Sequence, residues 1–303
     1  MLPLTPSALP QISENVPLAD KTTMRVGGFA RWYAEPGTLD ALIELLKHAS
    51  RQQIPLFILG RGSNVIIPDE GFEGLVIRLN DPYWRNMELR EPNSIWVMAG
   101  ARLKELCGFA CNHGLKGFEF LEGIPGSLGG ALRMNAGAMG WSLFEHVQFV
   151  EYLDYSGTIY HMEASKLEVE YRSCNSLEDK IAIGALLVAS EKSDPVYIRS
   201  TLESYCAQRK NSQPRGSSAG CMFKNPPGHF AGKLIDETGL KGTQVGSIQV
   251  SDVHANFMIN HGDSSASNVI ELVRVVRNAV YRKHNILLEP EAKLLGKSWN
   301  DIL

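Results

Sequence analysis

Three clusters in this 303-residue chain hold residue types that can do chemistry. The densest is EFLEGIPGSLGGALRMNAGAMG, residues 119–140, which contains Gly123, Gly126, Gly129, Gly130, Gly137 and Gly140. Glycine costs backbone entropy, so this density implies a main chain that turns through positive φ or approaches something closely. No charged side chain lies between Glu122 and Arg133. Whatever approaches is therefore met by backbone N–H groups, as a phosphate or cofactor ring is at a nest or a helix start. The segment reads as a cofactor cradle. A mobile glycine loop is the competing reading, and Ile124, Leu128, Ala131 and Met134 oppose it by giving the segment something to bury.

The second cluster is Gly60, Arg61, Gly62, Ser63 and Asn64, delivered by an apolar run at 56–59 and followed by another at 65–67. A strand ending in a small glycine turn presents backbone amides to a pyrophosphate. The GxGxxG fingerprint is absent, and Pro68, Asp69 and Glu70 stand where its helix would begin, so a Rossmann domain is disfavoured. The third cluster is Glu289, Glu291 and Lys293 around Pro290. In strand geometry these three charges share one face. By the residues alone they read as a solvated edge strand, with the proline as its marker. Arg209 and Lys210 close a candidate helix, and by the residues alone they read as a solvated basic helix end.

Composition narrows the function classes. The chain is long enough for two or three modules with a sizeable core, and its 44% hydrophobic and 21% charged residues are those of a globular protein. A net charge of −3 offers no general basic face, so no nucleic-acid partner is expected, and an acidic substrate must be met by locally placed Arg and Lys. The five cysteines, Cys107, Cys111, Cys174, Cys206 and Cys221, are odd in number and scattered, which argues for free thiols in a reducing compartment. Cys107 and Cys111 lack a nearby second Cys/His pair, so core packing is expected and no metal site. The N-terminus carries no signal-peptide pattern and no run approaches a membrane span, so a cytoplasmic location without a membrane partner is expected.

The elements that must position these clusters follow from periodicity and caps. Residues 1–20, with Pro3, Pro6, Pro10 and Pro17, read as an irregular arm, and 22–34 as an extended segment broken by Gly27 and Gly28. Thr38 caps an amphipathic helix to about residue 53, stopped by Pro55. Strands are expected at 56–59, 75–79 and 95–99, then a helix over 103–113 closed by Gly114. Residues 147–153 and 159–162, joined by YSGT, have a hairpin signature, and 181–189 reads as a further strand. A helix from Pro195 to about residue 210 links the modules. Beyond it lie a helix at 229–238, an extended stretch through HANFMIN, a long helix over 265–284 and a last strand at 286–295. Helices mixed with hairpin-like strands indicate α+β modules. The expected division is 1–198, with lobes of about 1–80 and 81–198, followed by 199–303.

Taken in order, TTMRVGG, LGRGSNVIIPDEGFEG, GFEFLEGIPGSLGGALRMNAGA, the pair Tyr171–Arg172, AGCMFKNP, GLKG, HANFMIN and LEPEAKLLG closely resemble the UDP-N-acetylenolpyruvoylglucosamine reductase family over nearly the whole chain. That resemblance implies an FAD-binding fold of the vanillyl-alcohol oxidase and p-cresol methylhydroxylase type, two α+β lobes, with a C-terminal α+β substrate-binding domain. It resembles the compact form that lacks an extra tyrosine-bearing loop. Residues 60–64 and Gly123, Ile124, Pro125, Gly126, Gly129, Gly130, Asn135, Ala136 and Gly137 are then the two FAD cradles. With no histidine at the RGSN turn, the FAD is expected to be non-covalent.

The implied reaction reduces UDP-N-acetylglucosamine enolpyruvate with NADPH as hydride donor, by way of FAD, to UDP-N-acetylmuramate for peptidoglycan. Hydride reaches C3 of the vinyl group, and C2 takes a proton. By resemblance Arg172 stabilises the charge that develops on the substrate, and Glu291 is the family's catalytic glutamate. Cys221 stands where the family usually has its proton-donating serine. A thiol, with a reference pKa of ~8.5, is mostly protonated at neutral pH and releases its proton more readily than a hydroxyl, so Cys221 is expected to serve as the acid. Tyr171, Arg209, Lys210, Asn225, His254 and Lys293 are the matching substrate-binding candidates, with a satisfied structural histidine an equal reading of His254. A monomer is expected. An FAD-dependent oxidase of a small alcohol or hydroxy acid, and a flavin-binding thiol regulator, are the alternatives, and the matches in the C-terminal part favour the reductase.

Overall fold

The computed structural model describes residues 10–90 and 92–303, so most of the first half of the expected irregular arm lies outside the described residues. The chain forms two compact units. One contains the chain through Ser13, Trp32–Gly60 and Gly74–Arg209, and the other contains Glu14–Arg31, Arg61–Glu73 and Lys210–Leu303. This differs from the linear cut expected at 198/199. Two early segments belong with the C-terminal third because they interlock with it. A Cβ on Gly27 would lie 2.2 Å from the Ile67 carbonyl oxygen and one on Gly28 2.4 Å from that of Asp69, so only glycine lets these chains touch. The buried Asn260 then donates to the carbonyls of Met24 (3.0 Å) and Arg25 (3.3 Å).

In the first unit, helix α1 (Leu39–Arg51) starts as its sequence dictates, with the Thr38 hydroxyl accepting from Ala41 N–H at 3.2 Å. Its buried stripe of Leu42, Leu45, Leu46 and Ala49 packs with Leu75, Ile77 and Trp84. The strands Leu56–Ile58 and Phe72–Ile77 pair in parallel, the second beginning three residues earlier than its apolar run suggested. A five-stranded antiparallel sheet has the spatial order Ile159–Glu163, Val147–Leu153, Ile181–Val188, Ser94–Met98, Met87–Arg90. The expected hairpin is there, and the sheet also has a short edge strand at 87–90 that was not expected, although its four residues alternate apolar and charged. Ile95, Val97, Val150, Ala185 and Leu187 of the sheet form one core with Leu103, Leu106, Cys107 and Ala110 of α2 (Leu103–Asn112) and Leu128, Ala131 and Leu132 of α3 (Leu128–Arg133). Cys107 and Cys111 are buried free thiols, and Gly114 takes φ +66° just past the end of α2. Helix α4 spans Pro195–Ser212.

In the second unit, α5 (Ala231–Glu237) and α6 (Ala266–His284) bury Leu234, Ile235, Val269, Leu272, Val273, Val276 and Val280. They pack with an antiparallel sheet of Gln244–Val245, Ile248–Val250 and Met258–Asn260. The Ser265 hydroxyl caps α6 by accepting from Asn268 N–H, and Asn285 closes it in the left-handed region at φ +54°. The last strand is shorter than expected: only Lys293–Leu294 pairs, in parallel, with Val65–Ile66. Proline removes a ladder donor at 290, and there the chain makes a single bridge to Phe223 instead.

Candidate active site

The glycine-rich segment of the first unit is a short 3-10 turn (Glu119–Leu121), a bend and then α3. Of the glycines that marked it, Gly123 (φ +75°) and Gly140 (φ +84°) require the left-handed region. Gly129 and Gly137 answer the other demand, close approach: an added Cβ would stand 3.2 Å from the Ala99 Cβ and 2.6 Å from the Trp141 carbonyl oxygen. The main-chain N–H groups of this segment were expected to face a ligand, and two of them, at the start of α3, do not. Instead Leu128 N donates to Ala101 O (2.9 Å) and Gly129 N to Ala99 O (2.8 Å), pinning the helix to the chain leaving the strand Ser94–Met98.

What remains open is narrower. Among the described residues outside the backbone of α3 itself, only the Ser127 hydroxyl, 3.9 Å away, lies near where a Gly130 Cβ would sit, and a Cβ on Gly60 would meet that same hydroxyl at 3.1 Å. Gly60 and the start of α3, both in the first unit, are thus neighbours, and the chain carries no charged residue between Glu122 and Arg133. A surface of this kind accepts a diphosphate or a flat ring against backbone.

The far end of the same segment holds Arg172. Tyr171 and Arg172 form the two-residue loop between the short strands Val169–Glu170 and Ser173–Cys174. Arg133 at the end of α3 donates to Ser173 Oγ and Cys174 O, both at 3.3 Å, and to Glu178 at 2.8 Å. Asn135 donates to Glu170 O at 3.1 Å while its Oδ1 accepts from Phe144 N at 3.2 Å. Arg172 itself donates from Nη1 to Gly137 O at 2.8 Å, and its guanidinium lies 5.3 Å from the centre of the exposed Tyr171 ring. Arg172 has φ +60°, a conformation that favours glycine. Arg209, one of the two undecided cations, reaches the other end: its Nη1 donates to Gly123 O at 3.4 Å, whereas Lys210 is exposed and belongs to the second unit.

In the second unit, Gly62 (φ +65°) seats the turn, because a Cβ there would lie 2.5 Å from Lys21 O. Thr23 N donates to Gly62 O at 3.0 Å. Asn64 follows Arg61, Gly62 and Ser63 and joins the turn to the C-terminal segment: its O accepts from Lys293 N at 2.9 Å and its Nδ2 donates to Glu291 O at 3.4 Å. Glu291 N in turn donates to Met222 O at 2.8 Å, next to Cys221. Cys221, Glu291 and Asn64, 227 residues apart at the extremes, therefore sit on one run of paired main chain. Glu289 makes an ion pair with Lys224, at 2.6 Å.

Two further candidates have structural work. Asn225 Oδ1 accepts from Ala231 N at 2.9 Å, satisfying the first amide of α5. His254 Nδ1 accepts from Asn256 N at 3.2 Å, which puts the proton of the neutral ring on Nε2, and burial pushes its pKa down. Sequence reasoning passed over Asn256, although it lies inside HANFMIN, and Asp69, although it follows the RGSN turn. Nothing in their identity revealed partners so distant in the chain.

Residues 30–163 match the FAD binding domain family, and residues 212–295 match the C-terminal domain of UDP-N-acetylenolpyruvoylglucosamine reductase. UDP-N-acetylenolpyruvoylglucosamine reductase from Synechococcus sp. (strain JA-3-3Ab) is 40% identical over 97% of this chain and 94% of its own length. The enzyme of that name from Clostridioides difficile (strain 630) is 39% identical over 94% of each chain. The crystal structure of UDP-N-acetylenolpyruvylglucosamine reductase from Thermus caldophilus superposes with a TM-score of 0.82 at 35% identity, covering 94% of this chain and 99% of that one.

Proposed function

The chain belongs to the UDP-N-acetylenolpyruvoylglucosamine reductase family, and from that membership we propose how its residues divide the work of the reaction. It is an FAD-dependent oxidoreductase of α+β architecture that uses NADPH to reduce UDP-N-acetylglucosamine enolpyruvate to UDP-N-acetylmuramate, a step of peptidoglycan synthesis. The cradle, with no charged residue of its own between Glu122 and Arg133 and an open face at Gly130 and the adjoining Gly60, fits FAD held through backbone. Residues 60–64, Gly123, Ile124, Pro125, Gly126, Gly129, Gly130, Asn135, Ala136 and Gly137 would hold it without a covalent bond. Bound FAD supplies the hydride relay from NADPH to C3 of the enolpyruvyl group.

The protein supplies electrostatics and a proton. Arg172 offers its planar fork to the carboxylate as negative charge spreads onto it and C2. Its positive φ and its bond to Gly137 are the observation that carries this reading, since strained backbone held by surrounding structure is characteristic of functional positions. Cys221 gives the proton of its thiol to C2. Glu291 acts on the same reacting group from the neighbouring segment. Tyr171, Arg209, Lys210 and Lys293 meet the sugar nucleotide, Asn225 through the NH2 that its capping role leaves over, and His254 through Nε2–H. The five free, scattered cysteines support a reducing cytoplasm. The enzyme acts there as a monomer, without nucleic-acid or membrane partners.

The test is spectroscopic. The purified protein should carry flavin that NADPH bleaches under anaerobic conditions, and the enolpyruvyl nucleotide-sugar should restore the oxidised spectrum without oxygen. A bleached flavin that only oxygen can restore would overturn the reading.

A further inference from the structure

Phe223 stands opposite Pro290 in an antiparallel bridge flanked by Lys224 N donating to Glu289 O (2.9 Å) and Glu291 N donating to Met222 O (2.8 Å). In that pattern the N–H and C=O of Phe223 itself point away from residues 289–291. They meet one side chain. Asn256 Oδ1 accepts from Phe223 N at 2.9 Å, and Asn256 Nδ2 donates to Phe223 O at 2.8 Å. The main chain of Asn256 adds another tie, its carbonyl accepting from Met222 N at 2.7 Å, and Cys221 bridges Phe257. Asn256 is 3% exposed, with its own N–H donated to His254 Nδ1.

A carboxamide offers an acceptor and a donor side by side, as the edge of a peptide strand does, whereas a carboxylate offers only acceptors. We infer that Asn256 is a positioning residue for Cys221. Its side chain takes the place of a missing strand and fixes the register of residues 221–224. A slip of one residue in extended chain turns side chains to the opposite face, so this register decides where the Cys221 thiol points. Burial makes the arrangement stringent, because main-chain groups at Phe223 left without Asn256 have no water to turn to. Asn256 acts through Cys221, and the inference rests on the reading of Cys221 as proton donor.

The experiment uses the FAD-loaded full chain with Asn256→Asp, Asn256→Ser as a milder second variant, and Val273→Ala as a control. The control destabilises the same buried core of that unit at a site of α6 whose side chain has no polar atom to offer the main chain of residues 221–224. Three rates are read: flavin reduction by NADPH, reoxidation by the enolpyruvyl nucleotide-sugar, and alkylation of Cys221 by iodoacetamide, followed by peptide mass spectrometry. Misplacement of a reacting group costs rate steeply, so Asn256→Asp should slow reoxidation about tenfold or more with NADPH reduction within about twofold, and Asn256→Ser should fall between it and the parent. Cys221 alkylation in both should rise about threefold or more as the strand loosens. Val273→Ala should move none of the three. Parental reoxidation and alkylation in the Asn256 variants, or equal losses in Val273→Ala, would overturn the inference. If Cys221→Ala keeps parental reoxidation, the acid role itself fails, and alkylation then decides on Asn256 alone, a parental rate overturning the positioning role.

Discussion

Asn64 donates its side-chain N–H to the main-chain carbonyl of Glu291 at 3.4 Å, and its own carbonyl accepts from Lys293 N at 2.9 Å. One residue of the RGSN turn thereby sets the C-terminal segment on both sides of Ala292. Removing the carboxamide with Asn64→Ala should cost about 1 kcal/mol in urea unfolding, the usual net worth of such a bond. An unchanged urea midpoint would mean that the bond contributes nothing to the fold.

At Cys221 the expectation is a split between half-reactions. Loss of a general acid typically costs about 10²–10⁴-fold, so Cys221→Ala should slow reoxidation by the nucleotide-sugar within that range while NADPH bleaches the flavin at the parental rate. Cys221→Ser, with a hydroxyl in place of the thiol, should retain considerable activity. Stopped-flow absorbance measures both halves, and an Ala variant as fast as the parent removes Cys221 from the mechanism.

Arg172 separates strain from chemistry. Its φ of +60° is costly for any residue with a Cβ but not for glycine. Arg172→Gly and Arg172→Ala should both lose about 10²-fold or more in turnover, as removal of a charge-stabilising group does. The Gly variant should nevertheless be more stable than the Ala variant by about 0.5–1 kcal/mol, after allowance for the greater freedom of unfolded glycine. Equal thermal midpoints for the two would show that the loop carries no strain.

Asp69 ties the chain after the RGSN turn to α6. Its carboxylate accepts from Ala266 N (2.7 Å), Ser267 N (2.9 Å) and Ser267 Oγ (2.6 Å). Burial raises its pKa, and these bonds together outweigh it, so the folded pKa lies below the ordinary value. A depressed acid stabilises the fold fully above its unfolded pKa and loses that contribution as pH falls through the folded one. Asp69→Ala should therefore cost about 1 kcal/mol at pH 7, a typical capping loss for an exposed site. The gap from the parent should close as pH falls below the ordinary carboxylate range of about 4. Urea midpoints across acid pH measure it, and a gap that persists at the lowest pH would assign the loss to something other than the charge.

The residues that could be read in advance were those whose reason is local. Thr38 as a helix cap, Gly114 as a helix stop, the YSGT hairpin and the buried pair Cys107 and Cys111 all depend on neighbours within a few positions. The glycine density of 119–140 also carried its own meaning, although the first amides of α3 turned out to bind Ala99 and Ala101. The split of the chain into units was not local. Gly27 and Gly28 need to be glycine because of Ile67 and Asp69, partners that only the folded chain supplies.

By itself, then, the sequence determined the α+β class, the family through its ordered motifs, and the residue types available for flavin chemistry, because caps, turns and periodic burial act over a few residues. Only the tertiary structure decided that Arg172 would rest on Gly137 with a left-handed backbone, that Asn64 would hold Glu291, and that Asn256 would stand in for a strand beside Cys221. The physical reason is the same in each case. A buried main-chain donor or acceptor must find a partner, and which residue provides it is settled by how distant segments pack, not by the residues on either side.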